Sequence, residues 1–178
     1  MALFFVAMFF FSSCSKEKDM DTDNPLGQTK LKPADVSKPS ANGQGALFLD
    51  YPGFIQGVQH FSFHANTDVN GNVTGSFESK WGKNGRVHGT INCLSILPDG
   101  KTAIMSGVLT KVQGDTYIDM GFLVGDDVWF KVQDSGEGAN ATKDRFSDFY
   151  AGSDQEPCTT DYGVDLFTIL NGNIQVKP

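Results

Sequence analysis

Alternation of apolar and polar residues dominates this chain from Val58 onward. In Val58-Gln59-His60-Phe61-Ser62-Phe63-His64-Ala65, the residues Phe61, Phe63 and Ala65 fall on one face and His60, Ser62 and His64 on the other. Val73, Gly75 and Phe77 alternate with Thr74, Ser76 and Glu78, and Val128, Phe130 and Val132 alternate with Trp129, Lys131 and Gln133. A period of two marks antiparallel strands with one buried face. Turn residues separate the runs, at Asn70-Gly71, Lys83-Asn84-Gly85, Asp99-Gly100, Gly125-Asp126-Asp127 and Asn171-Gly172. The pattern predicts strands near Ala46–Leu49, Val58–Ala65, Asn72–Ser79, Arg86–Leu97, Thr102–Val112, Tyr117–Val124, Val128–Gln133 and Leu166–Val176. No segment carries a helical stripe.

Strands at this spacing predict a single all-β antiparallel domain of about eight strands, a small meander β-barrel in preference to a two-sheet sandwich, lipocalin-like in outline. Closure would pair the last strand with the first and remove the sheet edges. The glycines Gly75, Gly89, Gly107 and Gly121 are expected on strands, where they admit sharp curvature.

Upstream the pattern changes twice. Met1 to Phe11 is uncharged and rich in Phe, and it ends in Phe11-Ser12-Ser13-Cys14 before turning polar at Ser15-Lys16-Glu17-Lys18-Asp19. An apolar run closed by small residues is the mark of an export signal, and this one is too short to span a bilayer. It resembles the lipobox of bacterial lipoproteins, although Met1-Ala2-Leu3 lacks the basic residue that opens such signals. The resemblance implies acylation of Cys14, a membrane as partner and a place in the bacterial cell envelope, at the periplasmic or surface face of the outer membrane. Residues 15–43 hold three prolines, five lysines and five acids with few aliphatics, which is linker composition. The expected organisation is a signal at 1–13, a lipid-anchored linker at 14–43 and the β-domain at 44–178.

Charge narrows the partners. Residues 44–178 carry 9 of the 14 basic residues and 16 of the 21 acids, so the net charge of −7 resides in the domain. No basic stripe is available to neutralise phosphates, and nucleic acid is excluded as an expected partner. Cys93 and Cys158 remain as a pair once Cys14 is acylated, and an oxidising compartment predicts a bond between them. Cys93 shares strand parity with Val87 and Ile91, so it is expected to point inward.

His60 and His64 are four residues apart. On a strand that is roughly 13 Å, too far to share a zinc ion. The densest polar cluster is Asp134-Ser135-Gly136-Glu137-Gly138, continuing to Asp144 and Arg145. Asp134, Glu137 and Asp144 offer oxygen ligands to calcium, though without the spacing of an EF-hand. Alternatively, Asp134 and Asp144 cap backbone amides of a long β-loop while Arg145 pairs with an acid. No nucleophile elbow, phosphate loop, dinucleotide fingerprint or metalloprotease motif occurs.

The stretches Phe61-Ser62-Phe63-His64-Ala65, Gly71-Asn72-Val73-Thr74-Gly75-Ser76-Phe77, His88-Gly89-Thr90-Ile91-Asn92-Cys93 and Phe130-Lys131-Val132-Gln133-Asp134-Ser135-Gly136-Glu137-Gly138 resemble an uncharacterised glycine-rich all-β domain recurrent in bacterial exported proteins and lipoproteins. The likeness extends to Gly172-Asn173-Ile174-Gln175-Val176. It implies an all-β domain and carries no activity.

Two function classes follow. The first is a non-catalytic module that binds a small molecule, glycan, ion or envelope protein at the barrel mouth or acidic loop, with Tyr51, Trp81, Tyr117, Trp129, Phe149 and Tyr150 as contacts. The other is an envelope polymer hydrolase, which needs two acids facing each other across a cleft, one with a raised pKa. A purely structural accessory role is the plainest alternative.

Overall fold

The alternating runs form antiparallel strands of one sheet in the computed structural model, which describes residues 38–51, 55–138, 141–152 and 157–178. The signal segment, Cys14 and most of the linker lie outside the described residues. In chain order the elements are β1 (Ser40–Tyr51), β2 (Ile55–Thr67), β3 (Val73–Trp81), β4 (Gly85–Ile96), β5 (Thr102–Gln113), α1 (Asp115–Asp119), β6 (Asp127–Gln133), β7 (Arg145–Phe146), β8 (Tyr150–Gly152), β9 (Phe167–Thr168) and β10 (Asn171–Lys177). The strand order is β10-β1-β2-β3-β4-β5-β6-β7-β9, with β8 beside β6. The last strand pairs with the first, Gly43 opposite Ile174.

Phenylalanines fill the concave side. Phe61 and Phe63 of β2, Phe77 of β3, Phe130 of β6, Phe146 of β7 and Phe149 are all buried. The Phe61 and Phe146 rings lie 4.2 Å apart and those of Phe130 and Phe149 4.9 Å apart, so the sheet is rolled until its two halves touch. Each buried phenylalanine stabilises the fold by roughly 1.5–3 kcal/mol. Among the described residues the interior is therefore occupied by side chains.

Inward glycines make room for these rings. Gly43 sits opposite Phe63, Gly45 opposite Phe61 and Gly89 opposite Phe77. A Cβ at Gly43 would come within 2.8 Å of the Phe63 ring, and one at Gly89 would collide with Phe77. Gly43, Gly45 and Gly89 thus serve ring packing across strands, whereas at Gly75 and Gly107 a Cβ would meet the backbone of the neighbouring strand.

Several expectations change. Among the described residues the ladder does not close into a barrel. The outer edge of β10 meets carboxylates instead of a strand, with the N–H of Ile174 donating to Asp144 Oδ2 at 2.7 Å and that of Val176 to Asp134 Oδ2 at 3.0 Å. The run Tyr117–Val124 is not a strand: α1 and tight turns occupy it, with Gly121 at φ 85°. β1 begins at Ser40, inside the stretch read as linker, and the final predicted strand divides into β9 and β10.

The last change concerns Cys93. A register shift between Ile91 and Cys93 inserts one extra residue, Asn92, opposite β5. The bulge reverses parity, so Cys93 faces outward with Ile104, Trp129 and Cys158. Cys93 and Cys158 stand at disulfide distance there, with Cα atoms 5.9 Å apart. Cys158 thereby ties its loop to the outside of β4–β6.

Candidate functional site

The open part of the outer face carries a lattice of polar side chains, set by strand register. Along one row, hydrogen-bonded neighbours place Asn173, Gln44, Ser62, Glu78, His88 and Lys111 side by side across six strands. A parallel row runs Gln175, Asn42, His64, Ser76 and Thr90, and a third holds His60, Lys80 and Arg86. Adjacent strands lie about 4.8 Å apart, so each row is a closely spaced line of donors and acceptors. The first two rows line an open groove of about 680 Å³, and an adjoining hollow of about 400 Å³ extends it toward His60 and Lys80.

Glu78 is the charged centre of this groove. Its Oε1 lies 2.8 Å from Lys80 Nζ, and its Oε2 lies 2.6 Å from an Arg86 guanidinium nitrogen and 3.2 Å from His88 Nδ1. Burial alone would raise its pKa, but hydrogen bonds from Arg86 and Lys80, with the charges of His88 and Arg86, hold it below the ordinary value. Burial pushes the His88 pKa down, and Arg86, Lys111 and Lys80 push it further, against the pull of Glu78. His64 Nδ1 lies 3.3 Å from Ser76 Oγ. His88 therefore meets Glu78 and not the other histidines, because β3 lies between β2 and β4.

The acids expected as calcium ligands are gathered along β10, with both oxygens of Asp134 and Asp144 and one of Glu137 already engaged. Asp144 Oδ1 accepts the N–H of Ser135 at 2.8 Å while its Oδ2 holds Ile174. Asp134 Oδ1 accepts the N–H of Gly136 at 2.8 Å while its Oδ2 holds Val176. Glu137 Oε1 accepts from Asn173 Nδ2 at 3.0 Å, at the β10 end of the groove. Among the described residues, no three His, Cys, Asp or Glu side chains are grouped to hold a metal.

The aromatic contacts expected from the sequence do not form an exposed patch. Trp81, Trp129, Tyr117 and Phe149 are buried, and Tyr150 is the most exposed of the six at 42%. Its ring stands edge-on to Trp129 at 6.0 Å, and Tyr162 does the same at 5.3 Å.

A second acidic group lies inside the roll. Asp148 is buried and accepts from Tyr51 Oη and Gln59 Nε2, each at 2.9 Å, and from the N–H of Phe149 at 2.7 Å. Burial raises its pKa, and these hydrogen bonds oppose the rise only in part. Burial likewise lifts Tyr117 to about 12, where its hydroxyl meets Ser79 Oγ. Because folding raises the Asp148 pKa above 3.8, its contribution is fully present below that value and is lost as pH rises through the folded pKa. Asp148→Asn is therefore expected to flatten the pH dependence of the unfolding midpoint above pH ~4. Urea titrations from pH 4 to 8 test this, and an unchanged slope would reassign that pH dependence to other groups.

The strongest sequence signal for the groove was the Asn-Gly-Gln-Gly alternation at Asn42–Gly45 and the Asn-Ile-Gln alternation at Asn173–Gln175. Both put amides outward at period two. The first was hidden because the expected linker boundary after Gly43 cuts through it. No family model, curated protein or solved structure matches the chain.

Proposed function

We propose that this domain is a non-catalytic binding module whose site is the polar groove on the outside of the rolled sheet, not a barrel mouth. The carrying observation is the contrast between the two faces. The concave side is filled by phenylalanines, whereas the outer face presents aligned Asn, Gln, Ser, His and Glu side chains around a hollow of about 680 Å³. Convergent polar groups in a concavity are what a hydrophilic ligand requires. The leader sequence supports an exported, lipid-anchored setting through Cys14, with the domain presented from a bacterial envelope membrane.

A hydrolase finds less support. The acid in the groove, Glu78, is held ionised by cations, the reverse of a general acid. Asp148 has the raised pKa, but it is buried among Tyr51 and Gln59 inside the roll.

Ser62→Trp tests the site, because Ser62 is exposed at the middle of the groove and a strand accepts an outward aromatic. Thermal-shift screening of soluble glycans, peptides and small metabolites is expected to give hits that vanish in Ser62→Trp, at unchanged melting temperature of the unliganded variant. Hits indifferent to the substitution would place binding elsewhere.

A further inference from the structure

The outer groove is electrically polarised along its length. At the β10 end Glu137 lies against Asn173, and the amides of Asn42 and Gln44 follow. At the other end Lys80, Arg86 and His88 surround one acid, Glu78, and Lys111 stands beside His88 on β5. Lys80 and Arg86 keep 49% and 43% of their side chains exposed, although Arg86 Nε itself is buried. This cationic end stands out in a chain of net charge −7.

We propose that the groove holds a linear oligosaccharide whose neutral units lie over β10, β1 and β2 and whose acidic unit, a uronate, lies over β3–β5. This rests on the binding-module reading above and adds the ligand class to it. Three features carry it. Rows run across the strands, and the strand spacing of about 4.8 Å is comparable to the length of one pyranose unit, so successive sugars meet successive strands. The amides and hydroxyls of Asn42, Gln44 and Ser62 supply both donors and acceptors, as sugar hydroxyls demand. A carboxylate at the β3–β5 end gains charge-assisted hydrogen bonds from Lys80 and Arg86, while Glu137 repels one placed at β10, and this fixes the direction of the chain. A fully anionic polymer is disfavoured by the same Glu137.

The experiment is an array of linear glucose, galactose and mannose tetrasaccharides, each in a neutral form and in a form ending in its uronate. Binding is read by calorimetry at low and high salt for the native domain, Lys80→Gln/Arg86→Gln and Ser62→Trp. At least one uronate form is expected to bind on the order of tenfold tighter than its neutral twin, a margin set by charge-assisted hydrogen bonds. That margin should shrink in high salt and disappear in Lys80→Gln/Arg86→Gln, with binding of both forms lost in Ser62→Trp. Equal affinity for both forms, or a margin that survives Lys80→Gln/Arg86→Gln, overturns the acidic assignment. If no tetrasaccharide binds while another compound shows binding sensitive to Ser62→Trp, the oligosaccharide class falls and the groove stands. If nothing sensitive to Ser62→Trp binds, both fall.

Discussion

Asp144→Ala is expected to destabilise the domain by roughly 2–6 kcal/mol, as two buried or half-buried backbone donors lose their acceptor at about 1–3 kcal/mol each. Asp144 is 5% exposed, and its two oxygens hold the N–H groups of Ser135 and Ile174. Its own carbonyl also accepts from the N–H of Ile169, so the residue ties three segments to one point. The loss would fall on β10, whose outer edge has carboxylates where a closed sheet would have a strand. Amide hydrogen exchange should therefore accelerate at Ile174 and Val176 before it does in β2 or β3. Asp144→Asn should recover part of the stability, because the remaining amide oxygen can accept one of the two bonds. A midpoint for Asp144→Ala within 0.5 kcal/mol of the native value, with β10 still protected, would show that the seam is held by packing and not by this carboxylate.

Reduction of the Cys93–Cys158 pair is expected to cost about 4 kcal/mol in the chain-entropy model, since the cross-link joins residues 65 apart. Native contacts give the loop around Cys158 some support of their own, because Cys158 packs with Ile104 and Trp129 and Asp161 receives Lys131 Nζ at 2.8 Å. Urea unfolding with and without reductant measures the difference, and Cys93→Ser/Cys158→Ser should reproduce the reduced midpoint without reductant. A reductant effect that persists in that double substitution would have to come from another source. A native-like midpoint in all three samples would show that the loop is seated by Trp129 and Lys131 alone.

Particular residues show how far the chain could be read in one dimension. Phe61, Phe63 and Phe77 announced their face by alternation alone, because a strand repeats every two residues whatever its neighbours do. The same rule failed at Cys93, since parity is kept only within an unbroken ladder and the bulge at Asn92 reverses it. It failed again at Tyr117, whose apolar neighbours Ile118, Phe122 and Leu123 look like a strand. The segment instead turns at Gly114 and Gly121, both at positive φ, and buries Tyr117 beside Ser79.

The candidate site was half legible. His60, Ser62, His64, Ser76 and Glu78 were visible as the polar face of two strands. That they stand in rows with Asn42, Gln44, Asn173 and Gln175 was not, because rows depend on register between strands as distant in sequence as β1 and β10. The acidic loop was legible as a cluster of oxygen ligands. Its carboxylates turned out to face the amides of β10, some thirty to forty residues further along the chain.

The sequence by itself determined the all-β class, the single domain, the approximate course of its longer strands and the buried face of β2 and β3, whereas β6 buries Trp129 and Lys131 on the face its alternation marked as polar. Those properties follow from local periodicity and turn chemistry, which need no knowledge of distant partners. Only the tertiary structure decided that the ladder stays open at β10, that phenylalanines occupy the interior and that the polar concavity lies outside. Each of these depends on how far the sheet rolls and on which segments meet across it, and long-range register and packing set both.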